Sequence, residues 1–449
     1  MSTPWLKHGL IVAAVAIVLF EWLSCLITPH GDFMLHWDDG LRMRMGYFKP
    51  GRHIPYPPAW AAVHAPLSLL PLGPAKAAFF VIGVGALVGL MWILNDLMKM
   101  AMPLAKGRHF WVVAATLLAG SRFITRDLDD GGQNLFLFTL AWLGVWLFVK
   151  GRPWSGGASL GLAIALKCTA AIFVLYFLLK RQWAMAASAI MWTALFFLVT
   201  PLPWLTPGEM TEHVTVWTKN LIQGMSEPDP SRGVLGDEPI ANKSLRPSLA
   251  RYLMHLPDGH LGRHPHRWYF DFLQLSPRQA GLIIKGILLA GLLGMGWLLR
   301  KPIASVGQAF QPDANVRLES LTYVDDRLTL VRECAIVSVA MLLYSPITWG
   351  QHCVAVLPGL YFLIRGIGSE VFEKRQTITW LACVLAPIFL TNRAFIGKDL
   401  SLLMESYHIS TFALIGLLAA VVFSGRLRSR LAVVSQRMLP SLVAPATAA

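Results

Sequence analysis

Long apolar stretches alternate with polar segments along most of this chain. The apolar runs lie near 9–27, 76–94, 110–124, 134–149, 154–179, 183–201, 279–299, 330–346, 353–368, 377–392 and 409–424. Runs of this length and apolarity predict helices that sit in lipid. Several are shorter than the roughly 20 residues a perpendicular span needs. The run 154–179 is ambiguous: it is either one long helix or two short ones broken at Lys167-Cys168-Thr169.

Charge decides between the two. With a cytoplasmic N-terminus, Lys99, Lys106, Arg108, Lys150 and Arg152 all fall inside, as the positive-inside rule asks. If 154–179 crosses once, Lys180, Arg181, Arg300, Lys301, Lys374, Arg375, Arg426, Arg428 and Arg430 all fall outside; if it folds back, all fall inside. The hairpin is therefore expected. The fold class that follows is an all-α polytopic membrane protein with about 12 membrane segments and both termini cytoplasmic. At about 1.5 Å per residue the hairpin is too short for two full spans, so it is short or re-entrant, with Lys167 near its extracytoplasmic tip.

On this topology the whole chain, 1–449, is one integral membrane domain. Its first extracytoplasmic loop is 28–75, its long one 202–278, and shorter ones are 125–133, 345–352 and 393–408; 302–328 reads as a cytoplasmic linker. Composition agrees, with 55% hydrophobic and 14% charged residues and a mean hydropathy of +0.53. The net charge of +14 belongs to loops facing anionic lipid rather than to nucleic-acid binding. Five scattered cysteines show no zinc or redox spacing. Lys7 precedes an apolar run as in a signal peptide, but Glu21 and the lack of a small-x-small site make it a retained first helix.

Candidate chemistry gathers on the outer loops. Asp32, at the end of the first helix, is placed to act as a general base toward a sugar hydroxyl, or is an ordinary helix-end cap; Asp38 and Asp39 are rivals, paired with Arg42 one turn on. His36, His53, His64 and His352 share no metal-binding spacing, so no metal and no cofactor are expected. His352 sits in the turn Ser345-Pro346-Ile347-Thr348-Trp349-Gly350-Gln351-His352, where a plain connector needs no Trp, Gln or His; its ring could bond a phosphate or a sugar hydroxyl. Lys167 is a cation inside an apolar run, and either reaches an anionic group or snorkels. Gln133 and Asn134 either cap the fourth run or bind sugar hydroxyls, and Arg246, in Asn242-Lys243-Ser244-Leu245-Arg246, could pair with phosphate.

In order, Tyr56-Pro57-Pro58 with Ala65-Pro66-Leu67-Ser68-Leu69-Leu70-Pro71, Gly132-Gln133-Asn134, Gly161-Leu162-Ala163-Ile164-Ala165-Leu166-Lys167-Cys168-Thr169, Asn242 to Arg246, and Ser345 to His352 resemble the motifs of glycosyltransferase family 87. These are polyprenyl-phosphate-mannose-dependent mannosyltransferases of the GT-C superfamily, and the resemblance runs from about 30 to about 360. It implies a GT-C fold in the bacterial inner membrane and inverting transfer of a sugar, usually mannose. The donor is a polyprenyl phosphate, a co-substrate rather than a cofactor, and the acceptor a glycolipid or glycan on the extracytoplasmic face. Asp32, ahead of Tyr-Pro-Pro, matches the family's base, and His352 the histidine that helps hold the donor phosphate. Lys167, Arg246, Gln133, Asn134, Asn242, Tyr56 and Trp349 fall in the matching motifs as donor or substrate contacts. The chain departs from the pattern at Cys168-Thr169-Ala170, where the family usually has Leu-Thr-Pro, at Lys243, usually Gln, and at Gly350-Gln351, often an acid and a second histidine. The readings from other classes are a transporter or flippase of a lipid-linked saccharide, disfavoured by the lack of internal repeats, and a non-catalytic assembly partner.

Overall fold

Apolar runs become helices because lipid offers no partner for backbone N–H and C=O groups, which must then bond within the helix. The computed structural model describes residues 4–27, 31–49, 56–303 and 316–424, with side chains of 316–325 excepted. Among the described residues the helices are α1 (Pro4–Ile27), α2 (Asp32–Arg44), α3 (Pro58–Leu67), α4 (Leu72–Met98), α5 (Arg108–Asp129), α6 (Gln133–Val149), α7 (Pro153–Leu166), α8 (Ile172–Leu179), α9 (Trp183–Val199), α10 (Pro207–Ser226), α11 (Leu245–Leu253), α12 (Pro277–Leu298), α13 (Val316–Tyr344), α14 (Leu357–Gly368), α15 (Lys374–Leu390), α16 (Arg393–Ser406) and α17 (Ile409–Val422). Two 3-10 turns, Cys168–Ala171 and Gly350–Val356, lead into α8 and α14, and a small antiparallel hairpin pairs Arg232–Gly233 with Gly236–Asp237. By length and composition α1, α4 and α12 are each able to cross a membrane alone, and the bent pairs α5–α6 (116°) and α15–α16 (83°) bring that number to five.

The run 154–179 folds back on itself. Ser188 Oγ of α9 donates to the Trp154 carbonyl of α7 (2.7 Å), and farther along both helices Thr193 Oγ1 reaches the Gly161 carbonyl (3.4 Å), so α7 and α9 run parallel. The segment between them, Cys168 to Leu179, must return. The break is at Lys167, in extended backbone with φ −155° and ψ 109°. Small residues allow the close approach: a Cβ at Gly157 would lie 2.4 Å from Ser188 Cβ. On its other side α7 packs antiparallel to α6, where Ser159 Oγ donates to the Leu140 carbonyl (2.7 Å).

These directions sort the charged groups to opposite ends of the helices. At one end Asp96 accepts from Lys99 (2.7 Å) and Lys150 (2.8 Å), Lys180 pairs with Glu333 (2.7 Å), and Arg108 meets Glu370 (2.7 Å). At the other end lie Asp32, Tyr56, Asn134, Lys167 and His352, near the starts of α2 and α6, the α7–α8 break and the second 3-10 turn.

The polar loops hold more structure than their composition predicts. The loop 28–75 carries α2 and α3, with 28–30 and 50–55, including Arg52 and His53, outside the described residues. The loop 202–278 contains α10, the β hairpin and α11, and 393–408 forms α16. Within 302–328, residues 304–315 lie outside the described residues, and from Val316 onward the chain is already helix, the first turns of α13 rather than linker. Arg426, Arg428 and Arg430 also lie outside the described residues.

Candidate active site

Asp32 opens α2 directly after Gly31, whose φ of +83° suits glycine. Its backbone N–H donates to Asp130 Oδ1 (3.2 Å), so a carboxylate caps the positive end of the helix. The side chain is held from another direction: Gln351 Nε2 donates to Asp32 Oδ2 (2.8 Å) across 319 residues of sequence. Pro57 and Pro58 start α3, proline being suited to the first helical position. Behind Asp32, α2 and α3 clasp an aromatic group in which His36 meets Tyr56 edge-on (4.4 Å between ring centroids) and Tyr56 stacks on Trp60 (5.5 Å).

Lys167 is the hub of the other half. Its Nζ donates to Asn134 Oδ1 (2.8 Å) and Tyr56 Oη (3.2 Å), and lies 2.9 Å from His352 Nε2. Asn134 is fixed in turn by Asp127, whose Oδ1 accepts from its backbone N–H (3.1 Å) and Nδ2 (2.7 Å) while Oδ2 accepts from Leu135 N–H (2.8 Å). The tight elbow between α5 and α6 needs glycine at 132: its φ is +79°, and a Cβ there would lie 2.7 Å from Gly83 Cα. Gln133 Nε2 donates to the Asp130 carbonyl (3.1 Å), bracing that elbow.

These groups open onto one cavity of about 1180 Å³. Asp32, His36, Tyr56, Lys167, Trp349 and His352 form its polar end, and residues of α8, α9, α10 and α13 such as Leu175, Phe197, Leu221 and Met341 give it a long apolar wall. Asn242 and Arg246 do not line it. Asn242 Oδ1 accepts from Thr348 N–H (2.9 Å) and its Nδ2 donates to the Pro346 carbonyl (3.0 Å), so it shapes the turn that presents Trp349 and His352. The Arg246 guanidinium donates to the Gly224, Glu227 and Asp229 carbonyls (3.4, 2.7 and 3.1 Å), which pins the segment before the β hairpin. The structure thus brings Asp32, Tyr56, Asn134, Lys167, Trp349 and His352 together, with Gln133 and Asn242 as braces and Arg246 farther out. Sequence reasoning passed over Asp127, Asp130 and Gln351 as partners. Asp129-Asp130-Gly131-Gly132 next to Gln133-Asn134 was the available signal for Asp130, and Gln351 stood out only as a Gln in a turn that needs none, with nothing local to point to Asp32.

Burial, and after it the neighbouring Asp32 carboxylate, pushes Asp130 up to about 6. Because this lies above the usual carboxylate value, the fold favours protonated Asp130. The contribution is full below about pH 4 and is lost as pH rises through about 6. Asp130→Asn keeps an oxygen for the Asp32 N–H. It is expected to remove that loss, on the order of 3 kcal/mol, and so raise the apparent Tm of purified protein more at pH 7.5 than at pH 4.5. An equal change at both pH values would refute this.

The family model for glycosyltransferase family 87 matches residues 54–309, more than half of the chain. The chain is 27% identical over 333 residues to a polyprenol-phosphate-mannose-dependent alpha-(1-2)-phosphatidylinositol pentamannoside mannosyltransferase of Mycolicibacterium smegmatis, covering 74% of this chain and 66% of that one. It is 29% identical over 202 residues to a polyprenol-phosphate-mannose-dependent alpha-(1-2)-phosphatidylinositol mannoside mannosyltransferase of Mycobacterium tuberculosis, covering 40% and 47%. Over 202 residues it is also 26% identical to an alpha-(1->3)-arabinofuranosyltransferase of Mycobacterium tuberculosis, covering 41% and 45%. The matched region thus spans from about half to just under two thirds of the length of these relatives. No solved structure matches the chain. With the family model matching over that length, the chain belongs to glycosyltransferase family 87.

Proposed function

We propose that this protein is a multi-pass glycosyltransferase of the bacterial inner membrane that moves a sugar, mannose in the first instance, from a polyprenyl-phosphate donor to a glycolipid or glycan acceptor on the extracytoplasmic face. The observation that carries this reading is the cavity itself. One end holds a carboxylate, a buried ammonium and an imidazole within a few residues' reach, and the rest is apolar wall. A polyprenyl phosphate has the same two parts. The proposal includes about 12 membrane segments, and the antiparallel α6–α7 pair and the hairpin at Lys167 support it.

In the proposed reaction the acceptor oxygen attacks the anomeric carbon as the bond from that carbon to the phosphate oxygen breaks, inverting the centre. Asp32 takes the acceptor's proton. The departing polyprenyl phosphate carries the negative charge, and Lys167 and His352 are the groups placed to stabilise it. Tyr56 and Asn134 keep the ammonium pointed into the cavity, and Asn242 and Arg246 act as supports rather than phosphate contacts.

The test is transfer of label from radiolabelled polyprenyl-phosphate-mannose into lipid or polymer in membranes containing the protein. Label is expected only when the protein is present, and at an undiminished rate in EDTA, since the chain's own cations are assigned the phosphate. Absence of label with this donor would overturn mannose transfer, and loss of labelling in EDTA would overturn the metal-independent mechanism.

A further inference from the structure

Asp32 is gripped on one side only. Gln351 Nε2 holds Oδ2 at 2.8 Å, and among the described residues no hydrogen bond reaches Oδ1. Asp32 lines the cavity, whereas Gln351, 5% exposed, lies behind it in the 3-10 turn Gly350–Val356. That turn also carries His352, so one short element touches both the carboxylate and, through His352, the ammonium of Lys167.

We infer that Gln351 is a positioning residue for the base: its amide fixes Oδ2 and leaves Oδ1 facing the cavity to receive the acceptor's proton. This deepens the proposed function and rests on Asp32 being the base. In the step, the acceptor O–H proton passes to Oδ1 as the new bond from the anomeric carbon to oxygen forms and the bond to phosphate oxygen breaks; Gln351 donates throughout and exchanges nothing. A neutral amide donor is suited to this place because it favours the ionised carboxylate, the form that accepts a proton, without adding a proton of its own. The charged or titratable groups around Asp32 are Asp130 from the α5–α6 elbow, with Arg126 3.8 Å from its carboxylate, Lys167 from the α7–α8 break, and, lining the same cavity, His36 on α2, Tyr56 ahead of α3 and His352 from the 3-10 turn. Gln351 reaches the Asp32 side chain by a direct hydrogen bond without carrying charge.

The experiment is the pH dependence of initial transfer rates from polyprenyl-phosphate-mannose between about pH 4.5 and 8.5, in membranes containing wild type, Gln351→Met, Gln351→Glu or Asp32→Asn at matched protein levels. With Gln351→Met the acid limb of the profile is expected to move to higher pH by about one unit, because the ionised carboxylate has lost its donor, while the plateau rate falls only a few-fold. Gln351→Glu, nearly isosteric and so the safer variant for folding, is expected to move the limb farther, since two carboxylates would share one site. A uniform drop at every pH with the limb unmoved would show a purely structural role and overturn the inference, as would profiles identical to wild type. If Asp32→Asn retains the wild-type plateau, the base assignment itself fails, whatever the Gln351 variants do.

Discussion

Asp32→Asn is expected to insert and accumulate normally yet lose transfer by about 10²–10⁴-fold. The amide preserves the shape, and its oxygen still accepts from Gln351, so the clamp seen at Oδ2 survives. What disappears is the group proposed to take the acceptor's proton. Folding is not expected to suffer, because the substitution also removes one of two neighbouring carboxylates at the α2 N-terminus. Single-turnover transfer with saturating donor is the measurement, since it separates chemistry from binding. Near-normal turnover would move the base to Asp38 or Asp39. The structure argues against both: Asp38 holds Arg42 at 3.1 Å, and neither residue lines the cavity.

Lys167→Met is the second large effect. Methionine fills nearly the same space but carries no charge, so in the proposed reaction the leaving phosphate loses a preorganised partner; a fall in kcat of about 10²–10³-fold is expected, larger than any rise in donor KM. The substitution also leaves Asn134 Oδ1 and Tyr56 Oη without their donor. A lower apparent Tm is therefore expected, with a cost of about 1–3 kcal/mol. Transfer within a few-fold of wild type would show that Lys167 is a structural clasp between α6, α7 and the Tyr56 segment, and that the phosphate is held elsewhere.

Much of the fold could be read because the bilayer imposes one rule on every spanning segment. Apolar runs must be helices, and the basic residues at their ends must agree on a side. Lys180 and Arg181 would have broken that agreement had 154–179 been a single crossing, and the pairing of Trp154 with Ser188 and of Gly161 with Thr193 shows the chain turning back at Lys167. The candidate site was legible where residues were costly or out of place: a lysine in an apolar run and a histidine in a turn that needed none. It was illegible where the partner lay far away. Gln351 looked like a departure from a motif, and only the fold reveals that it touches Asp32. Arg246 shows the opposite failure. Its residue type suits phosphate, but a guanidinium bonds backbone carbonyls equally well, and sequence alone does not say which it meets. The helices α2 and α3 escaped because they are short and the loop around them is polar.

The hairpin at Lys167 bears on how the protein is made. With 14 residues, α7 is about 21 Å long, well short of a hydrocarbon core of about 30 Å, and its glycine face rests on α9. Translation runs from N to C, so α7 and α8 leave the ribosome before the helix that covers them exists. Lys167 can then meet Asn134 and Tyr56, which lie earlier in the chain, but not His352, which is made 185 residues later. Stable integration of this part of the chain therefore waits for α9, and α6, already made, is the surface on which the pair is held meanwhile. The polar cluster around Lys167 is thus complete only once His352 has been made. Biogenesis, as much as catalysis, constrains what the segment from Gly156 to Thr193 can tolerate.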